Sequence, residues 1–331
     1  MAKGNGKRAE LLASIASTIA DYRYGAIEVP DADHVETWVS QFDDDAQTPI
    51  LVEMDHVLKK TYLPKKAVKQ FLKQLAANEQ LATDDPCGFW RDIAFLDIQG
   101  GGNSQRDMLA MFDKVLQKQC GFGVADCGAT HAAFLYLDDA IFTSNRVLND
   151  IRSWLQGAAP KKSKLHVVTV AYHRGGQWYT SQEIEKAANG VGKSVDISWW
   201  RCLEIEDRKS KIDVSDVLRP ASLPADTLMT AYVQALRYPP VLRTPDNVGE
   251  NGFFSSEAGR HLLEQEFLKA GLHIRSICPN LNKYQRPLGN MVLDTLGFGS
   301  LFVTFRNCPN NCPLALWAGD PWYPLFLRKT N

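Results

Sequence analysis

Between residues 91 and 206 the chain alternates short apolar runs with helical periods, and this alternation restricts the fold more than any other feature. "RDIAFLDIQ" (91–99), "AAFLYLDD" (132–139), "KLHVVTVAYH" (164–173) and "VDISWWRCLEIE" (195–206) read as strands. Between them lie "GGGNSQRDMLAMFDKVLQKQ" (100–119), a helical period over about 146–157, and "SQEIEKAANG" (181–190). In the first of these a glycine loop opens a helix with Met108, Leu109, Phe112, Val115 and Leu116 on one face. Such spacing marks an amphipathic helix. Strands alternating with helices predict a parallel sheet in an α/β core.

The flanks read differently. Residues 1–85 form an N-terminal helical region: Pro64 suits a first helical turn, and Val68, Phe71, Leu72 and Leu75 recur at helical spacing. "RPASLPADT" (219–227) and "RYPPVLRTPDNVGENG" (237–252) are breaker-rich and end the core, so the α/β core is drawn over 86–218 and a C-terminal extension over 219–331. That extension begins with "SSEAGRHLLEQEFLKAG" (255–271), a helix with serine at its start and glycine at its end. The glycine-, proline- and aromatic-rich tail that follows reads as a cap folded against the core, not a linker. With 331 residues, 45% of them apolar, the chain can bury a large core. Its net charge of -1 provides no global attraction to nucleic acid or membrane. No run is apolar enough to span a bilayer and the opening has no leader pattern. Seven cysteines without scaffold density fit a reducing compartment, so a cytoplasmic location is expected.

The chemistry concentrates where the second strand ends in Asp138-Asp139 and runs through Phe142, Thr143, Ser144, Asn145 and Arg146 into a helix. Ligands of open α/β sheets sit beyond the carboxyl ends of the strands. The first amides of a helix lack intrahelical partners and favour an anion, here beside two hydroxyls and a guanidinium. Two carboxylates just upstream suit the vicinal hydroxyls of a sugar whose phosphate lies in the turn. An isolated Asp-Asp reads more simply as a turn cap with a solvated neighbour; the full combination of strand, acids, hydroxyl-rich turn and helix points to a phosphorylated ribose.

"FLYLDDAIFTSNRV" resembles the ribose-5-phosphate motif of the type I phosphoribosyltransferases: four apolar residues, two acids, three variable positions, then Thr-Gly-x-Thr. Asp138 and Asp139 match the acids, which the resemblance makes ribose ligands and catalytic residues, and Thr143 matches the first threonine. Ser144 stands where that family prefers glycine and Arg146 where it prefers threonine. The implied fold is a Rossmann-like, mostly parallel sheet. The implied donor is phosphoribosyl pyrophosphate carried with magnesium, which departs as pyrophosphate through an oxocarbenium-like state. The glycine loop after the first strand would cradle pyrophosphate, with Gln99, Gly100, Ser104, Gln105 and Arg106 as its candidates and Ser104 as a helix cap. A flexible linker before an ordinary helix is the alternative there. The wider layout, including "RNCPNNCPLALW", is similar to a divergent bacterial branch with a C-terminal extension found in conflict and defence loci, retrons among them. That resemblance implies an anti-phage effector restrained by a partner, in retrons a reverse transcriptase with its RNA–DNA product. A ribose-phosphate-binding regulatory module without turnover is the rival expectation.

Other features read as structural. Lys65, Lys66, Lys69 and Lys73 make a basic stripe that suits a solvated face. Cys308 and Cys312 have no second pair to complete a zinc site, so no metal is expected from side-chain motifs. Arg260, Arg275, Arg286 and Arg306 are expected to pair with carboxylates or to clamp a phosphate. His131 and His166 read as structural, and "HRGGQW" (173–178) as a turn after the third strand.

Overall fold

The computed structural model describes residues 2–82 and 84–328. The chain starts with α1 (Ala2–Thr18), α2 (Ala32–Val39), α3 (Asp44–Thr61) and β1 (Tyr62–Leu63). It continues through α4 (Lys65–Ala76), α5 (Glu79–Ala82), α6 (Pro86–Asp92), β2 (Ile93–Phe95) and α7 (Ser104–Cys120). Next come β3 (Ala133–Ile141), α8 (Asn145–Gln156), β4 (Lys162–His173), α9 (Arg174–Gly190) and β5 (Ser194–Ile205). The last elements are α10 (Thr227–Ala235), α11 (Glu257–Ile277), β6 (Gln285–Arg286), β7 (Gly289–Asn290), β8 (Val303–Thr304) and α12 (Leu314–Trp317). Two compact units result: residues 66–205, and residues up to 65 joined by those from 206 onward. These limits differ from the composition breaks near 85 and 218.

The unit from 66 to 205 is the α/β core, a four-stranded sheet in the order β2-β3-β4-β5 with every pair parallel. Buried parallel strands read as unbroken apolar runs, as β3 and β4 do. Phe95 pairs in register with Leu135, and its ring lies 5.7 Å from that of Phe112 in α7. The next residue in β3's neighbouring position, Phe134, points to the other face, its ring 4.9 Å from that of Trp154 in α8. Helices therefore cover both faces. Strand β2 is shorter than the predicted 91–99 because α6 runs up to Asp92, opened by Asp85, which accepts the Gly88 amide at 3.0 Å, and by Pro86. "HRGGQW" is not a turn. Helix α9 starts directly at Arg174, and a Cβ at Gly176 would stand 2.1 Å from the Phe142 carbonyl oxygen, so glycine is what lets the two backbones meet. A pairing that cysteine spacing does not signal joins Cys87 of α6 to Cys120 of α7 in a disulfide, with Cα atoms 5.4 Å apart.

In the other unit α1, α2, α3 and α11 share one core with the C-terminal segment, including Leu314, Leu316, Trp322 and Phe326. Trp38 donates its indole N–H to the Ala315 carbonyl at 2.8 Å, and β1 pairs in parallel with β8. The tail is thus folded structure. Helix α11 runs past Gly271 to Ile277: that glycine is no helix end but a point of close approach, where a Cβ would lie 2.6 Å from the Pro287 carbonyl oxygen. Among the described residues no helix is long and apolar enough to cross a membrane.

Candidate functional site

Strand β3 carries its apolar run to Leu137 and then ends in the acids. Asp138 is 4% exposed, with Oδ1 accepting the Asp139 amide at 2.8 Å and Oδ2 lying 3.2 Å from the Tyr136 hydroxyl and 3.5 Å from the Gln99 side-chain amide. Burial, and after it the adjacent Asp139 charge, push the Asp138 carboxyl up to about 7. Asp139 is half-buried, and its Oδ1 accepts the Ala140 amide at 2.7 Å. The two acids therefore occupy different environments, although they are neighbours in sequence.

Behind Asp138 lies a polar chain. The buried Tyr136 hydroxyl is 2.9 Å from Asp150 Oδ2, and Asp150 Oδ1 accepts the Gly100 amide at 3.2 Å. Burial, then the charges of Asp138 and Asp150, hold the Tyr136 phenol far above its ordinary range, so it keeps its proton. Asp150 sits on α8 among Val147, Ile151 and Trp154, at the buried helical spacing, and is itself 7% exposed.

The glycine turn between β2 and α7 is braced from within. Gln105, fully buried, accepts the Ile98 and Gln99 backbone amides on its side-chain oxygen at 2.8 and 3.0 Å, while its backbone N–H donates to Gln99 Oε1 at 3.2 Å. The Gln99 side-chain amide donates to Ser104 Oγ at 2.8 Å. Ser104 is consequently the first residue of α7 and a partner of Gln99, not the cap expected of it; the capping position is Asn103, whose side chain makes no cap bond. Gly100, Gly101 and Gly102 are exposed, and Gly102 has φ +82°, a left-handed backbone that glycine adopts freely. Arg106 is exposed and turned to Asp97 at 3.7 Å.

The turn after β3 leads into α8 through Ser144. Ser144 has φ +73°, in the left-handed region usually left to glycine. Its buried hydroxyl donates to the Gly176 carbonyl at 2.6 Å, away from α8, so it does not cap that helix. Thr143 is half-buried, Asn145 exposed, and the Phe142 ring stands 4.7 Å from that of His173. Arg146 donates from Nη1 to the Gly101 carbonyl, which ties the start of α8 to the glycine turn.

Of the residues singled out in the sequence, the structure gathers Gln99 and Ser104 beside Asp138, and Arg146 against Gly101. Arg106 engages Asp97 instead. Tyr136 and Asp150 were missed. An acid at Asp150, on the apolar face of an amphipathic helix, was the available signal.

The other features singled out in the sequence lie as follows. Lys65, Lys66, Lys69 and Lys73 are all exposed. Cys308 and Cys312 are buried, and among the described residues no group of three or more His, Cys, Asp or Glu could hold a metal ion. Arg260 is committed to Glu264 at 3.0 Å and Arg286 to Asp294 at 2.7 Å.

Comparison with known proteins adds one match: a family model described as PRTase-CE covers residues 35–328. No curated protein matches the chain. No solved structure does either.

Proposed function

The chain belongs to the PRTase-CE family, which is phosphoribosyltransferase-like, and on that premise we propose that it binds phosphoribosyl pyrophosphate and transfers the phosphoribosyl group to a nucleophilic acceptor. The observation that carries this reading is the meeting, at the carboxyl ends of β2 and β3, of an acidic strand end and two helix-opening turns bridged by Arg146. Helix N-termini attract phosphates through free amides and the helix dipole.

In this reading Asp139 accepts hydrogen bonds from the ribose hydroxyls. Thr143 and the uncapped first turn of α8 take the 5-phosphate, and the turn from Gly100 to Ser104 takes pyrophosphate. Arg146 lies between the two anions, and neutralises charge that develops on the leaving pyrophosphate. The C1–pyrophosphate bond breaks as oxocarbenium character grows, and the acceptor's lone pair then forms the new bond at C1. The chain contributes positioning and charge stabilisation. Magnesium would enter with the donor and neutralise charge on its pyrophosphate, a mode that needs few protein ligands.

One observation favours a second reading, a ribose-phosphate-binding module without turnover. Arg146 replaces the expected threonine, and its guanidinium is already engaged by the Gly101 carbonyl. Incubation with donor and magnesium separates the two. Pyrophosphate release with a phosphoribosyl mass added to an acceptor establishes the transferase; saturable binding without release establishes the module. No binding to either the wild type or the Asp139→Asn variant refutes both.

The family resemblance carries the proposal on to anti-phage defence, with activity restrained by a partner such as a reverse transcriptase and its RNA–DNA product. Capture from the native host of a complex holding nucleic acid and a second protein is the expected result. Recovery of this chain alone would count against it.

A further inference from the structure

We propose that Tyr136 and Asp150 are positioning residues that hold Asp138 as a neutral hydrogen-bond donor, and so couple the acidic end of β3 to the glycine turn before α7. The coupling stands on geometry alone; its consequence for the donor rests on the reading given under Proposed function.

A count of protons carries the inference. The Tyr136 hydroxyl has one hydrogen and two carboxyl neighbours, Asp150 Oδ2 at 2.9 Å and Asp138 Oδ2 at 3.2 Å. The shorter contact takes it. Asp150 then has both oxygens satisfied, by Tyr136 and by the Gly100 amide. An ionised Asp138 would keep the Asp139 amide and the Gln99 and Ser104 donors on its oxygens, but it would face the Tyr136 oxygen with no hydrogen between them, and a buried contact between two lone pairs is costly. A proton on Asp138 Oδ2, donated to Tyr136, closes the chain from Asp138 through Tyr136 and Asp150 to Gly100.

Nothing packed around Asp138 offers an opposing charge. On β3 its neighbours are Tyr136 and the like-charged Asp139; on α8 the titratable neighbour is Asp150. From the glycine turn and α7 come Gln99 and Ser104, both neutral, and its register partner on β4 is Thr169. Arg146 is turned to the Gly101 carbonyl and Arg106 to Asp97. Burial acts in the same direction, disfavouring the charged form.

Two consequences follow for the site. An anionic donor meets one carboxylate charge at the strand end, that of Asp139, instead of two. Movement of Gly100 on anion binding is transmitted to Asp138 through three hydrogen bonds, by way of Asp150 and Tyr136, so the glycine turn and the ribose end do not act independently.

The test is a carboxyl-carbon NMR titration of the full chain, with Asp138 assigned through Asp138→Asn. In Tyr136→Phe the neutral acid loses its acceptor, so the Asp138 midpoint should fall by about one pH unit or more. A rise would mean that Tyr136 donates to an ionised Asp138, and it would overturn the proposal, as would no change. Should Tyr136→Phe fail to fold, two asparagine variants decide. Asn at 138 presents the same acceptor oxygen and donor as the neutral acid, so Asp138→Asn should hold or raise the Tm at pH 6. Asp150→Asn leaves one acceptor oxygen for two donors and should lower it. Equal losses in the two variants would overturn the coupling. If the wild type fails to bind donor, the donor reading falls, while the titration and the Tm comparison still judge the coupling.

Discussion

Replacing Asp138 by Asn should make the protein relatively more stable as pH rises, the reverse of what loss of a useful carboxylate would do. The folded carboxyl is held up to about 7, against about 3.8 without its surroundings, because burial and the neighbouring Asp139 charge oppose ionisation. The sign follows from proton uptake. Between those two values the native state binds the proton and the unfolded state does not, so stability falls as pH rises through the interval. Above about pH 7 the native acid ionises too and the loss levels off. Each pH unit is worth about 1.36 kcal/mol, so the interval amounts to a loss on the order of 4 kcal/mol. Asn is neutral in both states and has no such loss. Urea unfolding of wild type and Asp138→Asn at several pH values between about 4 and 8 measures it, since carboxylates that do not interact with Asp138 cancel in the difference. The variant should gain steadily on the wild type up to about pH 7 and then run parallel to it. Parallel curves over the whole range, with unchanged m-values, would show that Asp138 is ionised in the folded protein and would refute the reasoning.

Three further outcomes are expected. Gly176→Ala places a Cβ 2.1 Å from the Phe142 carbonyl oxygen, a backbone atom with no rotamer to escape into; thermal melts should show a loss of about 1–3 kcal/mol, with weaker donor binding in titrations. Ser144→Ala keeps the left-handed backbone but deletes the 2.6 Å bond to Gly176, at a cost of about 1 kcal/mol; Ser144→Gly loses the same bond while relieving the backbone, and should melt above the alanine variant. Glu264 is fully buried and accepts from Arg243 at 2.8 Å and from Arg260 at 3.0 Å. Glu264→Gln should therefore leave two buried guanidiniums short of charge and destabilise by about 3–5 kcal/mol in urea melts.

The legible parts of the fold were those set by local pattern. Parallel strands buried on both faces must be apolar along their length, so β3 and β4 announced themselves, and Met108, Leu109 and Phe112 marked the covering face of α7. What stayed hidden depends on pairs far apart in the chain. Tyr136 and Asp150 are 14 residues apart on different elements, and neither is unusual until the strand and helix are packed. Gly271 looked like a helix stop because glycine commonly ends helices; its real constraint is Pro287, reached across the unit from a later loop. The joint core of α1–α3 with the C-terminal segment was legible only in part: the aromatic-rich tail read as folded structure, but nothing local named the N-terminal helices as its partner. At Ser144 the backbone takes the left-handed conformation that glycine adopts most freely, which the residue's identity does not announce.

The different environments of the two acids follow from strand geometry more than from their own chemistry. Side chains alternate across a sheet, so residues 136 and 138 lie on one face while 139 starts toward the other. Tyr136 is thereby placed to reach Asp138 on the same face, and α8, which covers that face through Trp154, presents Asp150 to Tyr136. Asp139 falls outside this arrangement at the open end of the strand. Exchange of roles would require a one-residue slip of β3, which would also turn Phe134 and Tyr136 out of the α8 face and lose the core that they form. The packing that stabilises the sheet therefore also decides which carboxyl is buried inside it and which stands half-buried at the strand end.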